Sequence, residues 1–238
     1  MLYKMKRKLN QKLINLIEYY NLINSNLFLS NMPIKRTLKN STSVLRGTKK
    51  EKLDKLKKKI QLIENCRLKK NAKNLVFGDG SINSKIMIIG EGPGANEDLE
   101  GKPFVGRAGK LLDKMLNSIK LDRTKVYISN VVNYRPPENR KPTEEEIQRY
   151  LPYLITHIEI INPKILVLLG STALNSLIGN EEVISKARGK WFEKKIGEIN
   201  TWIIASFHPA FLMRQPEQKK LAWIDLKMIR EKYKVLKI

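Results

Sequence analysis

The chain has 238 residues, carries 46 Lys and Arg against 23 Asp and Glu for a formal net charge of +23, and contains one cysteine. A lone cysteine makes neither an intrachain disulfide framework nor a cysteine-rich zinc site, so the fold must rest on its core. No run approaches the roughly 18–20 apolar residues of a membrane span, and Met1-Leu-Tyr-Lys-Met-Lys-Arg-Lys opens no signal peptide, so a soluble, cytoplasmic protein is expected.

The basic excess is uneven. Residues 1–74 hold 20 Lys and Arg against four acids, and residues 75–238 hold 26 against 19. A polyanionic partner would account for this, because lysines on phosphates release counterions. So would biased composition in a chain rich in Lys, Ile and Asn. Within residues 1–24, Leu9, Leu13, Ile14, Ile17, Tyr20 and Leu22 recur at near-helical spacing among lysines, predicting a basic amphipathic helix. Packing onto its own domain is the expectation, ahead of a membrane surface or DNA. Residues 25–48, with Pro33 and Gly47, read as a linker, which makes 1–48 a basic N-terminal extension and 49–238 the main domain. A charged helix is expected from Lys49 to Cys66.

From Leu75 onward short apolar runs alternate with amphipathic ones. Strands are expected at Lys85–Ile89, Val126–Val132, Ile165–Leu169 and Trp202–Phe207. Helices are expected at Arg107–Ile119, Glu144–Ile161, Ser171–Ile178 and Glu217–Tyr233. Continuous apolar strands separated by helices predict an α/β fold, a parallel sheet covered on both faces, with ligands at the C-terminal strand ends.

Three unusual segments fall at those ends. Gly90-Glu91-Gly92-Pro93-Gly94 runs through Glu97 to Lys102-Pro103-Phe104-Val105-Gly106-Arg107. Its glycines resemble a dinucleotide fingerprint, but Pro93 and the long polar loop fit a tight strand-to-helix turn poorly. Asn130-Val131-Val132-Asn133-Tyr134-Arg135-Pro136-Pro137-Glu138-Asn139-Arg140 leads to Thr143, which is placed to cap a helix with Glu146 at capping-box distance. Ser206-Phe207-His208-Pro209-Ala210-Phe211-Leu212-Met213-Arg214 contains one of two histidines; the other, His157, sits mid-helix, where a surface or packing role is expected. A lone histidine is usually structural, but convergence of three polar segments on one sheet end marks a site.

These three segments, in this order and spacing over about residues 66–232, closely resemble the family 4 uracil-DNA glycosylases. The resemblance implies a three-layer sandwich around a central four-stranded parallel sheet. It also implies a flipped uracil stacked on Phe104 and read by Asn130, whose amide offers a donor to O4 and an acceptor to N3–H while cytosine presents the reverse. Glu97 would lie near C5 and help reject the thymine methyl. His208 would donate to the charge developing at O2, with backbone amides around Gly92 assisting. Asn139 would position the attacking water, with Glu91 as its electrostatic or orienting partner. Gly92 stands where some other branches of the superfamily carry a catalytic Asp, a departure that matches family 4. Leu212 or Met213 would wedge into the minor groove, while Arg214, Lys219, Lys220 and Arg140 would face DNA.

The family carries a four-iron, four-sulfur cluster on four cysteines. Aligned on the shared motifs, those positions are Ile63, Cys66, Tyr134 and Tyr150. Only Cys66 keeps a ligand, so no cluster and no other cofactor is expected; the tyrosines would fill its space. The expected function is therefore a monofunctional uracil-DNA glycosylase that starts base-excision repair. Its expected partner is uracil-containing DNA, with replication or repair proteins as further candidates and no membrane. A monomer is expected, associated with the nucleoid if the host is bacterial. The alternatives are a noncatalytic DNA-binding or polymerase-associated module on the same fold, and a nucleotide-cofactor enzyme using the Gly90 turn.

Overall fold

Helix α1 (Lys49–Gln61) opens the main unit with a reciprocal cap: Thr48 Oγ1 accepts from the Glu51 N–H, and the Glu51 carboxylate accepts from the Thr48 N–H. The computed structural model describes residues 45–179 and 183–238. The helix expected over residues 1–24 and most of the linker expected after it lie outside the described residues.

α1 stops short of the expected Cys66. Asn65 takes a left-handed φ of 51°, and Cys66 instead starts the short α2 (Arg67–Asn71). There follow β1 (Asp79–Gly80), β2 (Ile86–Gly90), α3 (Ala95–Glu100), α4 (Arg107–Ser118) and β3 (Val126–Asn130). The second half runs α5 (Glu144–Ile161), β4 (Ile165–Leu169), α6 (Ser171–Leu177), α7 (Ile184–Ala187), β5 (Trp191–Ile196), β6 (Ile199–Ser206), α8 (Pro209–Arg214) and α9 (Lys219–Val235).

The sheet has six strands in the order β1-β3-β2-β4-β6-β5. Its four central strands are parallel, as expected, and each edge adds one antiparallel strand that the sequence reading lacked. β1 is only two residues long. β5 presents Glu193, Lys194 and Lys195 to solvent, so this charged edge strand shows no apolar run. The β5–β6 turn contains Gly197 at φ 55°, a conformation glycine adopts without steric cost.

Alternation along the parallel strands feeds two cores. Met87, Ile89, Leu166, Leu168, Ile203 and Ala205 face one side, where α1 and α5 contribute Leu56, Ile60, Tyr150, Leu154 and Ile158. Ile86, Ile88, Val126, Ile128, Val167 and Ile204 face the other, against Leu112 and Leu116 of α4 and Leu226 and Ile229 of α9. These buried strands read as unbroken apolar segments because each face has a helical layer to cover it. Under the end of β6, Asp225 of α9 is fully buried, accepts from Ser206 Oγ at 2.7 Å and pairs with Arg188, bracing the strand just before Phe207 and His208.

His157 proves to be a core residue. It stacks on Phe77 with ring centroids 4.3 Å apart, and its Nε2 lies 2.9 Å from the Tyr127 hydroxyl. Burial pushes its pKa down to about 3. The unfolded chain protonates this ring near 6.5, so its contribution is complete above that pH and is lost as pH falls through the window from 6.5 towards 3. The loss is at most about 1.4 kcal/mol per pH unit for one group. Urea unfolding at pH 7, 5.5 and 4 should show a falling midpoint, and the fall should be shallower in His157→Gln, which has no ring to protonate. An equal fall in both proteins would contradict this assignment.

Candidate active site

Parallel register sets the floor of a cleft. Gly90 pairs with Asn130 at the ends of β2 and β3, and Leu169 pairs with Ser206 at the ends of β4 and β6. The segments that follow all four strands therefore leave the same sheet edge. Those after β2, β3 and β6 line a cleft of about 180 Å³ whose walls include Glu91, Gly92, Glu97, Phe104, Asn130, Asn139 and His208. That is below the roughly 300–1,000 Å³ of pockets for drug-sized ligands, and it suits one ring rather than a dinucleotide.

Asn130 is 3% exposed, and its Oδ1 has no hydrogen-bond partner within the protein. A buried, unpaired amide oxygen costs free energy unless something fills it, so an orphan acceptor in a cleft is a recognition feature. Gly90 makes the arrangement possible. A Cβ there would stand 2.5 Å from Asn130 Oδ1 and 2.6 Å from the Phe104 ring. The Phe104 ring sits 5.5 Å from the His208 ring, centroid to centroid and tilted by 31°, so ring, amide and imidazole border one space.

His208 caps α8, its Nδ1 accepting from the Ala210 N–H at 3.2 Å. Nδ1 is thereby used as an acceptor, so the neutral ring keeps its proton on Nε2. Burial first, and then the Arg214 charge, push the His208 pKa down to about 4. The imidazole is a neutral donor at physiological pH. Gly170, at φ 89°, lies under it; a Cβ there would approach His208 Cβ to 3.1 Å.

Both water-handling candidates line the cleft on polar tethers. Glu91 accepts from Thr172 Oγ1, and Asn139 Oδ1 accepts from Arg135 Nε at 2.8 Å. Gly92 has its Cα against Val132, where a Cβ would come within 2.8 Å of Cγ2. Glu97 lines the cleft too, but its carboxylate is committed: it accepts from the backbone N–H of Gly94, Val105 and Gly106 at 3.1, 2.9 and 2.8 Å. Its observed work is to fix the loop on either side of α3.

The segment after His208 corrects one expectation. Leu212 is 1% exposed and packs with Phe207 and Ala222, so it cannot also wedge into DNA. Met213, half-buried, and Arg214, exposed, follow it. Lys219 and Lys220 are exposed at the start of α9. Arg140 is exposed but gripped by Glu146 through both terminal nitrogens at 2.8 and 2.7 Å.

Away from the cleft, Cys66, Tyr134 and Tyr150 meet in the core beneath α1 and α5. Cys66 Sγ is 3.2 Å from the Tyr150 hydroxyl; Tyr150 is fully buried, Tyr134 nearly so, and Ile63 packs against the same core cluster. Burial pushes the phenols of both tyrosines up, Cys66 adding to the shift.

Sequence reasoning missed Thr172 and Gly170. Gly170-Ser171-Thr172 follows β4 directly. A glycine and two hydroxyl residues at a parallel strand end were the available signal.

Residues 77–227 match the family model for the uracil DNA glycosylase superfamily. The type-4 uracil-DNA glycosylase of Sulfurisphaera tokodaii is 41% identical over 186 residues, covering 76% of this chain and 84% of that protein. That of Thermotoga maritima is 41% identical over 168 residues, covering 70% and 86%. A DNA polymerase of Bacillus phage SP01 is 33% identical over 153 residues, which cover 64% of this chain and 16% of the polymerase.

Proposed function

Since this chain belongs to the uracil DNA glycosylase superfamily, and within it to the type-4 uracil-DNA glycosylases, we propose that it removes uracil from DNA by hydrolysing the N-glycosidic bond, the step that starts base-excision repair. The observation that carries the reading is the orphaned Oδ1 of Asn130, buried at the end of β3 in a residue that lines a cleft of single-ring size. Uracil N3–H supplies the missing donor. Cytosine carries a lone pair at that position and leaves the acceptor unpaired.

The remaining groups act in sequence. The uracil nucleotide leaves the stack, since neither its base edge nor its glycosidic bond is accessible there. Phe104 stacks on the extruded base. As the bond to the sugar lengthens, electron density moves into the base and accumulates at O2. The Nε2–H of neutral His208 donates to it, and cleft backbone N–H groups around Gly92 add their dipoles. Water attacks the sugar carbon, oriented by Glu91 and Asn139. Met213 takes the vacated place in the duplex, and Arg214, Lys219 and Lys220 neutralise phosphates.

The test is an oligonucleotide with one uracil, single-stranded and paired with guanine, treated with alkali to reveal abasic sites. Strand scission at the uracil position supports the reading. DNA binding without scission supports a second one, a noncatalytic or polymerase-associated module. The shared stretch with a phage DNA polymerase favours that second reading. Against it stands the convergence of Glu91, Asn130, Asn139 and His208 on one cleft.

We also propose that the chain carries no iron–sulfur cluster. Support comes from the donor set: a cubane needs a protein ligand on each iron, typically thiolate, and Ile63, Tyr134 and Tyr150 offer none. Among the described residues no three His, Cys, Asp or Glu side chains gather to hold a metal. Tyr150 instead closes onto Cys66, and the two phenol rings supply apolar bulk where a cluster would otherwise link the turn between α1 and α2, α5 and the Tyr134 loop. Purified protein is expected to contain no stoichiometric iron and no absorption near 400 nm, and Cys66→Ala should excise uracil within about twofold of the parent chain. About four irons per chain would contradict this.

A further inference from the structure

Phe104 has a non-glycine backbone in the left-handed region, at φ 55°, where a side chain is strained. Such a conformation persists only where its surroundings over-determine it, and here they do so from outside the cleft. Arg123, in the loop before β3, donates through Nη1 to the Pro103 carbonyl at 3.1 Å and through Nη2 to the Phe104 carbonyl. Its guanidinium is itself held by two carboxylates: Nη1 pairs with Asp79 of β1 and Nε with Asp113 of α4, each at 2.8 Å. On the other side of the same carbonyl, Gly109 leaves room for it, since a Cβ there would overlap Phe104 O at 1.7 Å.

The Phe104 carbonyl is thus a fixed point. The ring of the same residue lies against Gly90 and beside His208. A planar guanidinium suits the task because its fork can span two carbonyls and two carboxylates at once, which a lysine ammonium cannot do.

We propose that Arg123 is a positioning residue for base recognition: it holds residue 104 in its strained conformation, so that the ring lies where an extruded uracil must stack. This rests on the glycosylase reading above for the identity of the base, and the experiment separates the two. Turnover is slowed with His208→Ala in the full chain, and binding is read before measurable excision. The affinity for a uracil-bearing single strand is then compared with that for an identical strand carrying thymine, with Arg123 or Met at position 123 and Phe or Ala at position 104.

Arg123→Met is expected to cut the uracil preference about 5- to 150-fold when Phe104 is present, the range for one lost base–aromatic stack. It should cut it less than about twofold when residue 104 is Ala. Arg123→Lys should fall between, and it replaces Met throughout the cycle if the Met variant fails to fold by thermal denaturation. An equal loss in both backgrounds would reduce Arg123 to a general scaffold residue, and an unchanged preference with Phe104 present would overturn the proposal outright. An inactive parent chain would strike the glycosylase reading alone, because this cycle reads binding.

Discussion

His208→Ala is expected to slow uracil release by about 10²–10³-fold, the usual cost of removing one preorganised donor from a developing oxyanion. Binding of uracil-containing DNA should change little. The asymmetry follows from where the charge is. In the bound substrate O2 is an ordinary carbonyl, and the donor gains little from it; in the transition state O2 bears much of the leaving-group charge. The Ala210 N–H holds Nδ1, so the single proton of the neutral ring is on Nε2 and needs no rearrangement during the reaction. The same geometry sets a pH dependence. A His208 pKa of about 4 leaves the ring neutral from pH 5 to 8, so excision should show no inflection near 6.5 from this group. Single-turnover rates for parent and variant across that range check both statements, and a rate loss below tenfold would remove His208 from the central role.

Asn130→Asp carries the second large effect, and it relaxes a preference rather than removing activity. The site is 3% exposed, so burial favours the protonated carboxyl. A protonated carboxyl presents one O–H donor and one C=O acceptor and is free to exchange them. Cytosine offers an acceptor at N3 and a donor at N4, a match that the Asn130 amide is not arranged to make. Uracil excision should persist, because the same carboxyl can donate to O4 and accept from N3–H. Cytosine should become a substrate relative to uracil, more so at lower pH, where the carboxyl is more fully protonated. Parallel assays on strands carrying uracil or cytosine measure the ratio; an unchanged ratio would show that the amide does not read the base edge.

The parts of this molecule legible in sequence were those whose cause is local. Ile165–Leu169 and Glu144–Ile161 fall where expected, because an unbroken apolar run bounded by turn residues and an amphipathic run behind a Thr143 cap each carry their own signal. β5 was invisible because at the sheet edge Glu193, Lys194 and Lys195 in its middle stay exposed, leaving no apolar run or alternation. Phe211, Leu212 and Met213 show the same limit at finer scale. Three adjacent apolar residues do not reveal which one a short helix turns inward, and only contact with Phe207 and Ala222 assigns Leu212 to the core.

At the cleft, Asn130 and His208 stood out at strand ends, and Phe104 through the family resemblance. Their supports did not. Thr172 reaches Glu91 across 81 positions, and Arg123 grips carbonyls 19 and 20 positions away, partnerships that exist only once the sheet has formed. Glu97 had a visible position and a hidden task, since three backbone N–H groups from both ends of its loop already occupy its carboxylate.

The most direct test of the account is release of free uracil by the full chain, purified, freed of metal with a chelator and present in excess over a single-stranded oligonucleotide with one uracil. The account predicts one uracil released per strand, with an abasic site left behind and no release from matched strands carrying cytosine or thymine. Bound but intact uracil strands would contradict it.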